Sequence, residues 1–250
     1  MKNKWIIGSD EINDKEISLL CIPYAGASAS LFAKWQSDFE QNILICPILL
    51  PFRDSRRKEN MPESVSKLAM DFITENAELL TKPYAIFGHC TGAILGYEIA
   101  RIAKKVYGVE PIFLIVSSSQ QPAIVPEEAK VMCDADDAVI MEYLINENLV
   151  EKEILYIPEF IEYYFPILRE DFRLYANYLV TKEKFKCPII AMYDPNDSKI
   201  KEINILGWNQ YTEQFRKIVV RGGHYAFLNN EKELISSINQ IVNEVKRRKS

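Results

Sequence analysis

The 250-residue chain contains only two histidines, and none of its five cysteines belongs to a Cys-x-x-Cys pair. Structural zinc sites are usually built from these two residue types at close spacing, so the sequence argues against a metal site. Cys21, Cys46 and Cys187 lie within or beside apolar, strand-like runs, which is typical of small core residues. If another cysteine needs an imidazole as its base, the candidates are His89 and His224.

Long apolar runs and basic tracts are also missing. The short apolar stretch Trp5-Ile6-Ile7 cannot form the centre of a signal peptide, and no stretch approaches the length of a membrane span. The formal net charge of −5 does not suit a nucleic-acid-binding surface. We therefore expect a cytoplasmic protein with neither a membrane nor a nucleic-acid partner, and its length suits one α/β domain. A monomer is a separate expectation that does not follow from these absences.

One stretch organises the rest of the chain. Residues 84–87 have the composition of a buried strand, residues 93–100 have helical spacing, and Gly88-His89-Cys90-Thr91-Gly92 lies between them. Strand, sharp turn and helix in this order form the nucleophile elbow of α/β-hydrolases, where the central residue is normally serine. Both glycines are expected where strand and helix approach too closely for a Cβ atom. We predict that Cys90 is a nucleophile; the alternative is a tight turn with a buried thiol.

Apolar runs alternate with helical patterns, which predicts an α/β fold with a mostly parallel sheet and helices on both faces. The strand-like runs are residues 17–22, 43–50, 84–87, 112–116, 188–193 and 218–221, and amphipathic helices are predicted at residues 62–80 and 231–246. Residues 122–181 show no strand pattern. We predict a helical lid there, with helices at residues 127–133, 135–146 and 158–180, and an α/β-hydrolase core from residues 1–121 and 182–250.

Three candidate loops follow predicted strands, at the edge of the sheet where ligands of parallel α/β folds bind. They carry Cys90, Asp197 and His224 in the chain order nucleophile, acid, histidine, which is the order of α/β-hydrolases. We assign His224 as the general base and Asp197 as the carboxylate that orients it. Asp194 is the alternative to Asp197. The side chain of His89 is expected to point away from that of its neighbour and to pack against nearby loops.

Backbone amides near the elbow are candidates for binding an oxyanion. In this fold one N–H follows the nucleophile, and another comes from the loop after an early strand. The first belongs to Thr91, and the second to Ala25 or Gly26 in the loop of small residues at positions 23–30. A tight strand-to-helix connection is the alternative interpretation of that loop.

A cysteine nucleophile leaves two reactions open. The pKa of a free thiol, about 8.5, falls beside a cationic imidazole, so the thiolate forms readily. Its attack on a thioester gives another thioester, which is no more stable than the substrate and stays open to amines and thiols. Cys90 is therefore compatible with hydrolysis and with acyl transfer. A serine replaced by cysteine to trap an intermediate would give the same sequence.

Five segments in order resemble the stand-alone (type II) thioesterases of nonribosomal peptide and polyketide synthases. They are PYAGASA at residues 23–29, LPFR at 50–53, GHCTGA at 88–93, PILREDF at 166–172 and GGHY at 222–225. The resemblance implies an α/β-hydrolase core with a helical lid. It also implies acyl groups held as thioesters on the phosphopantetheine arm of an acyl or peptidyl carrier protein, with no cofactor of the enzyme's own. The family roles carry over to these residues: Cys90, Asp197 and His224 as the catalytic triad, Ala25 and Thr91 as oxyanion donors.

The chain departs from the family pattern at several positions. Cys90 stands where serine is usual, Phe52 where glycine is usual, and Asp194 where a glycine usually precedes the acid. The first hypothesis is a thioesterase that clears misloaded acyl chains from carrier proteins. The alternatives are an acyltransferase or amide-forming release enzyme that uses the same cysteine, and a weakly active module that binds carrier proteins.

Two further groups of side chains are candidates for substrate contacts. Four cations after the second strand are candidates for contact with an acidic carrier protein, and a solvated loop is the alternative: Arg53, Arg56, Arg57 and Lys58. Eight aromatic residues of the predicted lid are candidates for lining an acyl pocket, and helix packing is the alternative: Tyr156, Phe160, Tyr163, Tyr164, Phe165, Phe172, Tyr175 and Tyr178.

Overall fold

The computed structural model describes residues 3–8, 16–40 and 42–249. Its strands are β1 (Ile17–Ile22), β2 (Ile43–Pro47), β3 (Tyr84–His89), β4 (Leu114–Ser117), β5 (Ile189–Tyr193) and β6 (Phe215–Val219). They form one sheet in the order β2-β1-β3-β4-β5-β6, in which every neighbouring pair is parallel. The chain passes from β1 to β2 and then returns to the other side of β1 for β3. The strand order therefore reverses beside β1 and β3, the position where such sheets form a ligand crevice.

Helices connect the strands and cover the sheet. The α-helices are α1 (Trp35–Asp38), α2 (Val65–Glu75), α3 (Ala77–Leu80), α4 (Thr91–Tyr107), α5 (Glu127–Met132), α6 (Asp137–Asn146), α7 (Pro158–Ala176), α8 (Glu202–Leu206), α9 (Ala226–Asn229) and α10 (Glu231–Lys249). Short 3₁₀ helices lie at Ala29–Phe32, Asp54–Arg56, Ile154–Tyr156 and Gly207–Tyr211.

Both faces of the sheet are buried, because side chains alternate between the faces along each strand. Leu20 and Ile86 lie in a core that includes the apolar sides of α2, α4 and α7. Leu19 and Phe87, their chain neighbours, lie in a second core that includes Trp35 and the apolar side of α10. The predicted parallel sheet with helices on both faces is confirmed.

The helices α5, α6 and α7 lie between β4 and β5, where the sequence predicts a helical insertion. The first two agree with the predicted ranges to within two residues, and α7 ends at Ala176 rather than at residue 180. The division into a core and a lid, at residues 122 and 181, remains a prediction.

Two other predicted elements need correction, and two short helices are additional to the prediction. β6 begins at Phe215 rather than at residue 218; it is an edge strand whose residues are half-exposed or exposed, so its polar first half gave no apolar run. The helix predicted over residues 62–80 divides at Asn76, whose side chain donates to the carbonyl of Phe72 at 2.8 Å. The short helices at Glu202–Leu206 and Gly207–Tyr211 were not predicted.

The cysteines predicted to be core residues, Cys21, Cys46 and Cys187, are buried. In the ranges that the structure describes, no helix is both long and apolar enough to cross a lipid bilayer.

Candidate active site

The elbow connects β3 to α4, and Cys90 is the single residue between the two elements. Its backbone has φ 51° and ψ −118°, a conformation that is costly for any residue with a Cβ atom and that is found mainly at functional sites. A Cβ on Gly88 would collide with the backbone of Gly92 and Ala93, and a Cβ on Gly92 with the backbone of Ile22. The close approach predicted from the two glycines is therefore present, and it holds the half-buried Cys90 at the tip of the turn.

His224 lies in the loop after β6, and its imidazole is paired with a carboxylate from the loop after β5. Nδ1 of His224 lies 2.8 Å from Oδ2 of Asp197, and only 6% and 0% of the two side chains are exposed. The other oxygen of Asp197 accepts the backbone N–H of Lys199 at 2.8 Å and that of Ile200 at 3.3 Å. These bonds hold the carboxylate in the orientation that the imidazole needs.

The surroundings of His224 favour its protonated form. Burial alone would lower the pKa of the imidazole, but hydrogen bonds with Asp197 and Cys90, together with their charges, raise that pKa from 6.5 to about 10. Cys90 therefore lies within interaction range of the imidazole, as the sequence predicts.

Asp194, the alternative carboxylate, has different partners. Its oxygens accept the backbone N–H groups of Asn196, Gly222 and Gly223, each at 2.9 Å. The bonds from Asn196 and Gly223 are the largest of the effects that lower the pKa of Asp194 to about 2. This carboxylate therefore joins the loop after β5 to the loop that carries His224, and it makes no hydrogen bond to the imidazole among the described contacts.

The second histidine, His89, lies beside His224, with ring centres 5.6 Å apart, but its hydrogen bond goes to another residue. His89 is fully buried, its Nδ1 lies 3.0 Å from the hydroxyl of Ser117, and its ring centre lies 4.5 Å from that of Phe227. Burial and the nearby charge of His224 hold the pKa of His89 well below its usual range. It is therefore a neutral packing residue in the loops around the site.

The two predicted oxyanion donors lie at the ends of β1 and β3. Thr91 is the first residue of α4, so its N–H has no partner within the helix. The loop that follows β1, residues 23–28, is called the β1 loop. In it the N–H of Ala27 donates to the carbonyl of Tyr24 at 3.0 Å and closes a turn in which Gly26 has φ 82°. The N–H of Gly26 is already engaged, since it donates to a carboxylate on α7 at 2.6 Å. The sequence offers Ala25 or Gly26 as the second oxyanion donor, and the engaged N–H of Gly26 favours Ala25.

A cavity of about 530 Å³ opens beside Cys90 and His224, a size that is usual for small-molecule sites. It is lined by Cys90, Thr91, Ile94, Ser118, Ser119, Gln120, Ile124, Val125, Pro126, Glu127, Glu128, Glu147, Tyr175, Lys199, Ile200 and His224. One wall is charged, because Nζ of Lys199 pairs with Glu128 at 2.7 Å and with Glu147 at 3.0 Å. These ion pairs join the helical insertion to the loop that carries the predicted acid.

The aromatic residues of the insertion mostly serve packing. Tyr175 lies in the hydrophobic core and also lines the cavity. Five others lie in or against the same core and do not line the cavity: Phe160, Tyr164, Phe165, Phe172 and Tyr178. Tyr156 and Tyr163 are 69% and 38% exposed. The packing alternative therefore holds for most of these side chains, and the acyl-pocket interpretation is retained for Tyr175.

The four-cation surface predicted to meet a carrier protein is wrong in part. Arg53 and Arg56 are only 2% and 4% exposed; Arg56 donates to the carbonyl of Leu49 at 2.7 Å, and Arg53 pairs with a buried carboxylate. Of the remaining two, Arg57 stacks over the ring of Phe52 at 4.2 Å. Phe52 has φ 63°, a left-handed conformation that glycine adopts without strain.

Two residues at the site were missed as functional candidates. In the sequence, Asp171 stands out only as part of a segment that resembles a family, and no pattern indicates a role for Lys199. Asp171 is 1% exposed, and Lys199 lines the cavity. The signal that the sequence offered for Asp171 was a carboxylate within a segment, residues 166–172, that resembles a family. Among the residues that the structure describes, no group of three or more His, Cys, Asp or Glu side chains is arranged to hold a metal ion.

The six-stranded parallel sheet, the covering helices and the elbow after β3 define an α/β-hydrolase fold. The chain belongs to the thioesterase domain family, whose model matches residues 18–242. Among solved structures, ClbQ from the colibactin pathway is 24% identical with a TM-score of 0.83, over 93% of this chain and 99% of ClbQ. The RedJ thioesterase of the prodiginine pathway in Streptomyces coelicolor is 26% identical with a TM-score of 0.82, over 90% of each chain.

Curated relatives cover nearly the same range. The gramicidin S biosynthesis protein GrsT of Aneurinibacillus migulanus is 29% identical over 93% of this chain and 91% of its own length. The thioesterase PikA5 of Streptomyces venezuelae is 28% identical over 91% of this chain and 81% of its own length. The range matched by the family model, residues 18–242, runs from the first strand into the last helix and includes the elbow and the histidine loop.

Proposed function

We propose that this protein is a type II thioesterase that hydrolyses acyl groups from the phosphopantetheine arm of an acyl or peptidyl carrier protein. Its biological role would be to clear misloaded chains, or to release acyl groups, in nonribosomal peptide or polyketide synthesis. The observation that carries the proposal is the position of Cys90, on a strained elbow beside the paired His224 and Asp197, at the mouth of a cavity. Membership of the thioesterase family and relatives such as GrsT and PikA5 support it.

In the first half-reaction the sulfur of Cys90 attacks the thioester carbonyl. The carbonyl oxygen becomes an oxyanion, which the N–H groups of Thr91 and Ala25 stabilise; one such donor typically contributes about 2.7–4 kcal/mol to lowering the barrier. The tetrahedral intermediate then expels the pantetheine sulfur, which takes a proton from His224. The products are an acyl-Cys90 thioester and the free carrier thiol, and His224 is left neutral.

In the second half-reaction water replaces the carrier thiol. Neutral His224 removes a proton from the attacking water, and Asp197 stabilises the imidazolium that forms. Collapse of the second intermediate breaks the bond between the acyl carbon and Cys90, which gives the carboxylic acid and restores the starting site. The acylated sulfur carries no charge, so the pKa of His224 falls in the intermediate and the imidazole can act as a base when it is needed.

The cysteine also supports a second candidate, transfer of the acyl group to an amine or thiol. The acyl-Cys90 intermediate is a thioester, and its energy is similar to that of the substrate. An amine that reached the cavity would therefore compete with water. Intact-protein mass spectrometry after mixing the protein with an acylated carrier protein separates the candidates. Free acid supports hydrolysis, a product that requires added amine or thiol supports transfer, and no turnover supports a binding module.

Two variants control that experiment. Cys90→Ala should show no acyl adduct, whereas Cys133→Ala, which removes a buried thiol from the end of α5, should behave as the wild type. An adduct that persists in Cys90→Ala would disprove the assignment of the nucleophile.

Cys90→Ser is expected to hydrolyse the substrate faster than the wild type. Transfer from a thioester to a serine hydroxyl gives an ester and is downhill, so the released carrier thiol returns the acyl group less often. We expect kcat for hydrolysis to rise on the order of tenfold, which corresponds to about 1.4 kcal/mol. Slower hydrolysis by the serine variant would contradict this account of the thiol.

A further inference from the structure

Three of the segments that carry the family resemblance meet away from the reacting sulfur, in one buried network. Asp171, on α7, is 1% exposed; one of its oxygens accepts the N–H of Gly26 at 2.6 Å, and the other pairs with the guanidinium group of Arg53. Arg53 is 2% exposed and also donates through Nη1 to the carbonyl of Ala27 at 2.8 Å. The two charged side chains therefore hold the β1 loop at Gly26 and at Ala27.

These contacts fix the loop next to the proposed oxyanion donor. Gly26 has φ 82°, and a Cβ there would lie 2.7 Å from both Leu168 and the hydroxyl of Tyr164, so α7 rests directly on the loop. Ala25 is the preceding residue in the same turn. Its N–H can stabilise an oxyanion only from the correct direction, and a misplacement of about 1 Å in an active site can cost about 10²-fold in rate.

The pair also joins parts of the chain that are remote in sequence. Arg53 and Asp171 are 118 residues apart. Both are charged and almost completely buried, and removal of one partner from such a pair leaves an uncompensated charge. Each hydrogen bond has a preferred direction, whereas apolar packing has none. The contact therefore fixes the position of α7 on the loop more firmly than the surrounding apolar packing could.

Building on the proposed acyl chemistry, we propose that Asp171, held by Arg53, is a positioning residue that directs the N–H of Ala25 toward the carbonyl oxygen of the acyl thioester. Asp171 acts through the backbone of Gly26 and not by contact with the acyl group. The network thereby assigns a role to two segments, residues 50–53 and 166–172, that the triad and the cavity leave without one.

The test compares two reactions of Cys90 in the full-length protein. Acylation by an acyl-pantetheine thioester, followed by rapid quenching and mass spectrometry, passes through an oxyanion. Alkylation by iodoacetamide depends on the same sulfur nucleophile and passes through no oxyanion. The variant is Asp171→Asn, and the matched control is Glu170→Gln, which removes a carboxylate from the adjacent residue that pairs with Arg173 on the protein surface.

We expect Asp171→Asn to slow acylation on the order of 10²-fold. Iodoacetamide alkylation and the circular dichroism spectrum should be unchanged, and Glu170→Gln should match the wild type in both reactions. Arg53→Lys keeps the charge but loses the planar fork, so it should give a smaller loss of acylation. It also provides a second test if Asp171→Asn does not fold.

Several results would overturn the inference. Normal acylation by a folded Asp171→Asn protein would do so, and so would equal slowing of acylation and alkylation, because that indicates a general disturbance of the site. Loss of the fold in both Asp171→Asn and Arg53→Lys would make the pair a purely structural one. If the wild type is alkylated but never acylated, the proposed function itself fails, and this inference fails with it.

Discussion

The charge state of His224 gives the sharpest test of the site, and the chain makes it easy to measure. There are only two histidines, and His89 is buried and neutral, so one imidazole should titrate in the accessible range. The pKa of His224 is raised to about 10 against the effect of burial, by Asp197 and by Cys90. Cys90→Ala removes one of these two partners and leaves the other in place.

The expected size of the change follows from the hydrogen bond that is lost. A hydrogen bond to a charged group contributes roughly 1.5–3 kcal/mol. One pKa unit corresponds to about 1.36 kcal/mol, so the pKa of His224 should fall by roughly 1–2 units in Cys90→Ala. It should stay above the ordinary value of 6.5, because Asp197 remains 2.8 Å from Nδ1.

The assay is a titration of the histidine ring signals by NMR in the wild type, Cys90→Ala and the control Cys133→Ala. We expect a high midpoint in the wild type and the control, and a lower midpoint in Cys90→Ala. Identical midpoints in the wild type and Cys90→Ala would refute the coupling between sulfur and imidazole. A wild-type midpoint near 6.5 would refute the imidazolium as the resting state at neutral pH.

Two other substitutions test the loops that hold the site. Gly92→Ala places a Cβ against the backbone oxygen of Ile22, so we expect a loss of about 1–3 kcal/mol in the free energy of unfolding, measured with urea; unchanged stability would contradict the close packing of the elbow. Asp194→Asn weakens the bonds from the histidine loop. Because the folded pKa of Asp194 is about 2, its stabilising effect is complete above the unfolded value of about 3.9 and is lost as the pH falls through that range. The difference in stability between wild type and variant should therefore be largest near neutral pH and shrink below about pH 4; a difference that is independent of pH would contradict this.

The buried strands could be predicted from the sequence because each is a short apolar run followed by turn residues. β3 and β5 are entirely buried, and both lie within two residues of their predicted ends. β6 is different, since it lies at the edge and its residues are half-exposed or exposed. A search for apolar runs finds only the last part of β6. Its first part is a strand because it pairs with β5, and the sequence does not show that pairing.

The candidate triad could be predicted because its members follow strands of one parallel sheet. The carboxyl ends of those strands meet at one edge, so chain order was enough to bring Cys90, Asp197 and His224 together. Asp194 and Asp197 lie close together in the same turn, and the sequence does not show which of the two carboxylates reaches the imidazole. The structure distinguishes them by their partners: Asp197 contacts the imidazole, and Asp194 contacts backbone amides of the next loop.

The buried arginines could not be predicted, because burial of a charge depends on its partner. A loop with several cations is normally solvated, and nothing near Arg53 in the sequence offers a carboxylate inside the fold. Its partner comes from α7, far along the chain. Local composition therefore indicates the wrong environment for Arg53, although Arg53 and Asp171 both lie in segments that resemble those of the thioesterase family.

The helical insertion is joined to the active-site loops by two charged contacts of different kinds. Asp171 and Arg53 are almost completely buried, and breaking a buried pair costs about 3–5 kcal/mol. Lys199 and its partners Glu128 and Glu147 keep 16–28% of their side chains exposed, so water can replace part of what is lost when they separate. The β1 loop, which carries the proposed oxyanion donor Ala25, is thus held more strongly by the insertion than the loop that carries Asp197. This is the arrangement that acyl chemistry requires, because the oxyanion donors must already be in place when the substrate carbonyl arrives.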